Sequence, residues 1–267
     1  MLDFEGKVCW VTGASSGIGE EICRNLAKRG AIIILSSRNR DKLEDIQKSL
    51  SNPQKHLVLP LDMTALSDLD VILTKALTHS GGVDVLFNNA GISQRGLAID
   101  TLVEVDRRIM EVDYFGAITL SKALLPHFLA KKSGLIVNIA SVAGKLGVSM
   151  RSAYSGAKHA LIGFMDCLRT EVFDDGVRVV NVCPGFVKTN LSYNALKGDN
   201  THYDKMDHEI EGGMSSEVFV NKMFEQIRKG KEEIIIAEGL AKFGYHARRL
   251  FPQLFLKMSR IVYKRKD

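Results

Sequence analysis

A chain of 267 residues, 45% hydrophobic and 25% charged, is long enough to bury a full core as one domain without disulfide or metal staples. A net charge of +5 with no aromatic-interleaved basic patch points away from nucleic acid. The cysteines, Cys9, Cys23, Cys167 and Cys183, form no close pair, and the histidines are scattered; this gives no metal-ligand spacing and reads as buried thiols in a reducing, cytoplasmic compartment.

Met1 to Gly6 enters the first apolar run almost at once, so the sequence predicts neither a signal peptide nor a membrane span there. Val8 to Val11 reads as a strand, Thr12-Gly13-Ala14-Ser15-Ser16-Gly17-Ile18-Gly19 as a turn, and Glu20 to Arg29 as an amphipathic helix. Glycines in such a turn accept positive φ and let the backbone approach a phosphate, which the unpaired N–H groups of the helix N-terminus then hold. The same glycines also serve a tight turn on steric grounds alone. The next run, Ile32 to Leu35, ends in Ser36-Ser37-Arg38-Asn39-Arg40. An acid there would bond a ribose 2′-hydroxyl; Ser37 and the Arg38 guanidinium instead suit a 2′-phosphate, which predicts NADP(H). Alternatively, Arg38 and Arg40 are solvated charges opening a helix. The third run, Leu57 to Leu61, ends at Asp62, which also fits an N-cap for a helix beginning near Ala65.

Further runs begin near residues 83, 134, 177 and 233, with helical patterns between them. About seven strands alternating with helices predict an α/β fold: a single Rossmann-type, doubly wound parallel sheet with helices on both faces, spanning 1–267. Reversal of strand order after the third strand would gather the glycine turn, Asn88 to Gly91 and Ser141 at one edge. Leu102 to Lys131 and Arg151 to Phe173 read as long helices with apolar residues on more than one face. Within the second, Tyr154 and Lys158 lie four apart and share a face. An ammonium beside a phenol favours the phenolate and makes the pair usable as a general acid or base. Ser141, just past the Leu135 to Ala140 strand, offers a hydroxyl to a substrate oxygen. His159 reads as surface or interface.

The segment 189–214 is polar and weakly periodic, with Leu191, Tyr193 and Tyr203 as candidates either to line a pocket or to pack the loop on the body. From Gly239 an apolar stripe (Leu240, Phe243, Leu250, Phe251, Leu254, Phe255, Met258, Ile261, Val262) recurs at helical spacing, and Pro252 should split it into two helices. Lys257, Arg260, Lys264, Arg265 and Lys266 make that end basic. Two readings stay open: a lid over the pocket or an interface, and a peripheral contact with an intracellular membrane.

The glycine turn, Asn88-Asn89-Ala90-Gly91, the Ser141/Tyr154-Ser155-Gly156-Ala157-Lys158 set and Pro184-Gly185-Phe186-Val187-Lys188-Thr189 occur in that order. On these residues the chain resembles the short-chain dehydrogenases/reductases from about Lys7 to about Thr189, within them the microsomal, 11-beta-hydroxysteroid-dehydrogenase-like branch. The resemblance implies that Tyr154 is the catalytic acid/base, that Lys158 also grips the nicotinamide ribose, and that Ser141 orients the reacting oxygen. It implies a cofactor site formed by Gly13, Ser15, Ser16, Gly17, Ile18 and Gly19 with Ser37 and Arg38. To these it adds Asp62 and Met63 at the adenine, Asn89, Ala90 and Gly91, and Pro184, Gly185, Val187 and Thr189 beside the nicotinamide. It makes 189–214 the substrate loop and predicts a homodimer or homotetramer. One position departs: Asp113, in Glu111-Val112-Asp113-Tyr114-Phe115-Gly116, stands where the family usually has a catalytic Asn. Asp keeps an oxygen acceptor, loses the amide donors and adds a negative charge toward Lys158. The expected activity is NADP(H)-dependent interconversion of a carbonyl and an alcohol on a hydrophobic molecule such as a steroid, a retinoid or a fatty or xenobiotic carbonyl. The alternative is a catalytically weak NADP(H)-binding protein acting as redox sensor or interaction module.

Overall fold

The computed structural model describes residues 3–262. Its core is a parallel sheet of β1 (Val8–Thr12), β2 (Ile32–Ser36), β3 (Leu57–Val58), β4 (Val85–Asn88), β6 (Gly134–Ile139), β7 (Val177–Pro184) and β11 (Glu233–Ile236), ordered β11-β7-β6-β4-β1-β2-β3. The order reverses between β1 and β4, as the sequence predicts, and that crevice is where such sheets bind ligands.

Side chains alternate across each strand, so β1 sends Cys9 and Val11 to one face and Val8 and Trp10 to the other. On the first face they meet α1 (Gly17–Lys28), α2 (Arg40–Ser49) and α8 (Ser216–Arg228) through Ile22, Leu26, Leu43, Phe219 and Phe224. On the second they meet α3 (Leu69–Thr78), α5 (Gly116–Lys131) and α6 (Ser152–Glu171) through Ala76, Leu120, Phe128, Leu161 and Met165. Burial on both faces is why the strands read as continuous apolar runs rather than alternating ones. The exceptions are register markers. Asn88, Asn138 and Asn181 stand side by side on β4, β6 and β7; Asn88 Nδ2 donates to Asn138 Oδ1 at 2.9 Å and Asn138 Nδ2 to Asn181 Oδ1 at 3.2 Å. A one-residue slip would strand these amides against apolar neighbours.

Four local expectations change. The helix after Asp62 starts at Leu69 with Asp68 at its N-cap, and Asp62 Oδ1 accepts instead from the Thr64 N–H and O–H at 2.9 and 2.8 Å. The long helix over 102–131 is α4 (Val103–Met110) and α5 joined by a π turn, Glu111–Phe115. Cys167 is exposed, because it falls on the outer face of α6, while Cys9, Cys23 and Cys183 are buried. The polar excursion after β7 is also more ordered than its composition implies. β8 (Val187–Lys188) pairs with β10 (Met214–Ser215), and β5 (Gln94–Arg95) pairs with β9 (Leu196–Lys197). The short α7 (His208–Glu211) lies between β9 and β10.

Pro252 does split the last segment, into α9 (Gly239–Leu250) and α10 (Pro252–Val262). Leu240, Leu250, Phe251 and Leu254 remain exposed there, and Lys264, Arg265 and Lys266 lie outside the described residues. Among the described residues, no helix is long and apolar enough to cross a membrane, and no group of His, Cys, Asp or Glu has the geometry of a metal site.

Candidate active site

A cleft of ≈ 990 Å³ runs along the C-terminal edge of the sheet, over the point where strand order reverses. The glycine turn forms one end. Gly13 and Gly17 have φ of +64° and +58°, values that L side chains rarely adopt. The Thr12 hydroxyl donates to the Phe87 carbonyl and accepts the N–H groups of Asn89 and Ala90, while Asn89 Nδ2 donates to the carbonyls of Thr12 and Gly13. These bonds weld the turn to the segment after β4. Ser16 caps α1 with no side-chain bond of its own, and Gly13, Ser15, Ser16, Gly17 and Ile18 line the cleft. Gly19 does not; it sits behind the turn, where a Cβ would meet the Gly13 carbonyl oxygen at 2.1 Å. Its need is close packing, so Gly19→Ala should lower stability by about 1–3 kcal/mol, read as a shifted unfolding midpoint in urea.

Ser37, Arg38, Asp62 and Met63 line the far wall. Ser37 lines the cleft, and its Oγ is buried with no hydrogen-bond partner among the described residues, a polar atom left unsatisfied at this wall. Arg38 is exposed on the cleft, whereas Arg40 pairs with Glu44 at 3.5 Å on the first turn of α2 and is the solvated helix-start charge. Asp62 is held below the usual carboxylate range. Partial burial opposes this, but the two Thr64 bonds and the Arg38 and Arg108 guanidiniums outweigh it.

At the centre Asn89, Ala90, Gly91, Ser141, Tyr154, Lys158 and Asp113 line the cleft, and Pro184, Gly185, Val187 and Thr189 close its other side. Ser141 Oγ accepts the Ala143 N–H at 3.0 Å, and no acceptor among the described residues takes its proton. Tyr154 and Lys158 are both buried, one turn apart on α6, with Nζ 5.7 Å from the Tyr154 ring centroid. Lys158 Nζ also donates to the Ile139 carbonyl at 3.1 Å. The π turn brings in the fourth member. Asp113 is 1% exposed; its Oδ1 accepts the Ile92 N–H at 2.8 Å, and its Oδ2 lies 3.1 Å from Lys158 Nζ. Burial is the main influence on Asp113 and pushes its carboxyl up, only partly offset by Lys158 and the Ile92 N–H. For Lys158 burial pulls down, but the charges of Asp113 and Tyr154 outweigh it and leave the ammonium above its usual range.

The apolar end is lined by Leu146, Val148, Leu191, Leu196, Ile210 and Phe255. Of the loop residues singled out in the sequence, only Leu191 reaches it. Tyr193 is exposed, and the Tyr203 ring lies under the Arg95 guanidinium at 5.9 Å. Phe255, with Leu240, Ala241 and Gly244, brings α9 and α10 over the cleft as a lid. His159 is exposed and bonds the Ser155 carbonyl, one turn back on α6.

Sequence reasoning missed a second cluster. Arg95 on β5 and Arg151, the residue before α6, share one carboxylate oxygen of Asp207; the Arg151 bond is 2.8 Å. Arg95 also bonds Ser93, the Gln94 carbonyl and Ser192. The cluster ties the loop to the body at its start and its end, and Arg151 lines the cleft. No local signal marks it, since its three charges are far apart in sequence and meet only through the fold.

Residues 7–200 match the family model described as short chain dehydrogenase. The chain is 39% identical over 256 residues to a dehydrogenase/reductase SDR family protein 7-like of Anopheles gambiae, covering 94% of this chain and 81% of that protein. It is 38% identical to dehydrogenase/reductase SDR family member 7B of Mus musculus, covering 93% and 78%. A solved short-chain dehydrogenase from Streptomyces avermitilis superposes with a TM-score of 0.83 at 29% identity, covering 98% of each chain. Structures from Burkholderia cenocepacia, in complex with NADP, and Burkholderia phymatum, in complex with NAD, share the fold at 22% identity, with TM-scores of 0.80 and 0.79. With its welded glycine turn, its reversed strand order and a buried Tyr and Lys one helical turn apart, this chain belongs to the short-chain dehydrogenase family of oxidoreductases.

Proposed function

We propose that the chain is an NADP(H)-dependent carbonyl reductase or alcohol dehydrogenase acting on a hydrophobic small molecule. The observation that carries this reading is the placement of Tyr154, Lys158 and Ser141 together in one cleft that also holds the glycine turn. The dinucleotide fits the residues present. The N-terminus of α1 faces the cleft for a pyrophosphate, and Ser37, whose buried Oγ is unpartnered, lines the adenosine end beside Arg38. When bound, it supplies or accepts the hydride. Tyr154 gives or takes the proton at the substrate oxygen, Ser141 donates a hydrogen bond to that oxygen, and Lys158 orients the phenol and holds the ribose.

Preference for the 2′-phosphate rests on Ser37, Arg38, Asn39 and Lys42 lining that end of the cleft with no acid on the segment after β2. Arg38→Ala should weaken NADPH by about tenfold, the worth of one charge-assisted contact, and leave NADH unchanged. Tighter binding of NADH than of NADPH by the native chain would remove the preference. The apolar end supports a steroid, retinoid, fatty or xenobiotic carbonyl. The test is NADPH oxidation over a panel of aldehydes, quinones, retinal and steroid ketones. Turnover that follows substrate apolarity sustains the reading. Tight NADPH binding with no turnover across the panel sustains the second one, a cofactor-binding relative with little activity, which the Asp113–Lys158 ion pair favours.

Two further contacts belong to the proposal. The exposed apolar residues of α9 and α10, beside Arg248, Arg249, Lys257 and Arg260, support peripheral contact with an anionic membrane. Phe115, half exposed at 43%, and the neighbouring faces of α4 to α6 support a homodimer or homotetramer.

A further inference from the structure

Asp113 and Lys158 form a closed, buried two-residue unit in the cleft. Their side chains are 0% and 4% exposed, and Gly91 seals the contact: a Cβ there would stand 3.0 Å from Asp113 Oδ2 and 3.4 Å from Lys158 Nζ. The other titratable groups facing the unit are Tyr154, from α6, and Cys183, from β7, whose thiol burial pushes up to about 12 and so keeps neutral. Among the described residues no further charge compensates Lys158 at contact distance, and its remaining bond is to the Ile139 carbonyl.

The unit therefore has zero net charge whichever of the two groups holds the shared proton. An amide at position 113 would leave a full ammonium instead. We propose that Asp113 is a positioning residue that acts through Lys158, cancelling its charge so that the cleft holds the oxidised, cationic nicotinamide nearly as well as the neutral, reduced one. This deepens the proposed function and rests on its nicotinamide reading. The physical reason is electrostatic: the cofactor's two redox states differ by one charge on the ring, and an uncompensated ammonium in a site of low dielectric repels only the cation. Lys158, by resemblance the ribose ligand, is close enough for that repulsion to register.

The experiment is calorimetric titration of NADP+ and NADPH into the native chain, Asp113→Asn, and the double variant Asp113→Asn with Lys158→Met, with urea unfolding run alongside. Asn keeps the Oδ1 acceptor for the Ile92 N–H, so packing is conserved. The ratio of the NADP+ to the NADPH dissociation constant should rise about tenfold in Asp113→Asn, the effect of one unscreened charge at ribose-to-ring distance. It should return to within about twofold of the native ratio in the double variant, which again has no net charge. Loss of the lysine weakens both nucleotides together, and the ratio is insensitive to that loss. A ratio unchanged in Asp113→Asn, or one that stays raised in the double variant, overturns the proposal. Failure of the native chain to bind either nucleotide overturns the proposed function and this inference with it, an outcome distinct from binding with a flat ratio.

Discussion

Tyr154→Phe should lower carbonyl reduction by about 10²–10⁴-fold, the range for removing a positioned general acid, while NADPH binding survives. The ring is 7% exposed and packs with Val105, Ile109 and Ala157, contacts that phenylalanine keeps. The hydroxyl faces the cleft and makes no bond to the described residues, so its loss strands no buried partner. Stability should change by less than about 1 kcal/mol, which separates a chemical defect from a folding one. Rates of NADPH oxidation against a ketone that the native chain reduces, paired with calorimetric binding of NADPH, make the test. Turnover within tenfold of native would show that the proton comes from another group, and the assignment of Tyr154 would fall.

The second large effect is on folding. Lys158→Met leaves Asp113 buried at 1% exposure with the Ile92 N–H as its one remaining donor. Breaking a buried pair from one side costs about 3–5 kcal/mol, because the charge left behind has neither water nor a counter-ion. The pH dependence has a definite sign. The Asp113 carboxyl is raised in the folded chain, and removal of the ammonium raises it further, so the unfolded state loses this proton first as pH rises. The penalty of Lys158→Met should therefore be small near pH 4 and grow toward pH 8. In the native chain the raised Lys158 contributes its stabilisation fully below its unfolded value of ~10.4 and loses it as pH climbs through the folded one. Adding Asp113→Asn to Lys158→Met should recover most of the loss at neutral pH. Urea unfolding at several pH values reads all of this; a penalty that is flat with pH would mean that the damage is steric.

The strands were readable as apolar runs because the inner ones, such as Val8–Thr12 and Gly134–Ile139, are buried on both faces, and the edge strands Leu57–Val58 and Glu233–Ile236 are apolar enough to show although only partly buried. The same burial hid the registry of the sheet, since nothing local marks Asn88, Asn138 and Asn181 as neighbours. Tyr154 and Lys158 were legible through helical spacing, and Ser141 through its place at a strand end. Asp62 illustrates what spacing cannot decide: an acid after a strand fits a cap or a ligand contact equally well, and the start of α3 at Leu69 had to be seen. Gly19 looked like its neighbours in the glycine turn, and its close packing on the Gly13 carbonyl shows only in the structure. The Arg95–Asp207–Arg151 cluster was invisible for a plainer reason, because long-range ion pairs leave no trace in a one-dimensional pattern.

The π turn between α4 and α5 has a consequence for winding. Buried positions Val105, Ile109, Asp113, Ala117 and Ser121 recur every four residues, a period that a 3.6-residue helix cannot keep on one face. Each step would drift by about 40°, and after four the row would have turned nearly to the opposite side. One wider turn, from Glu111 to Phe115, takes up the excess and resets the phase. The first half of the row can then pack beside Tyr154 while the second half packs against the sheet, with Asp113 at the seam. Asp113 reaches Lys158 because the helix is underwound at that point.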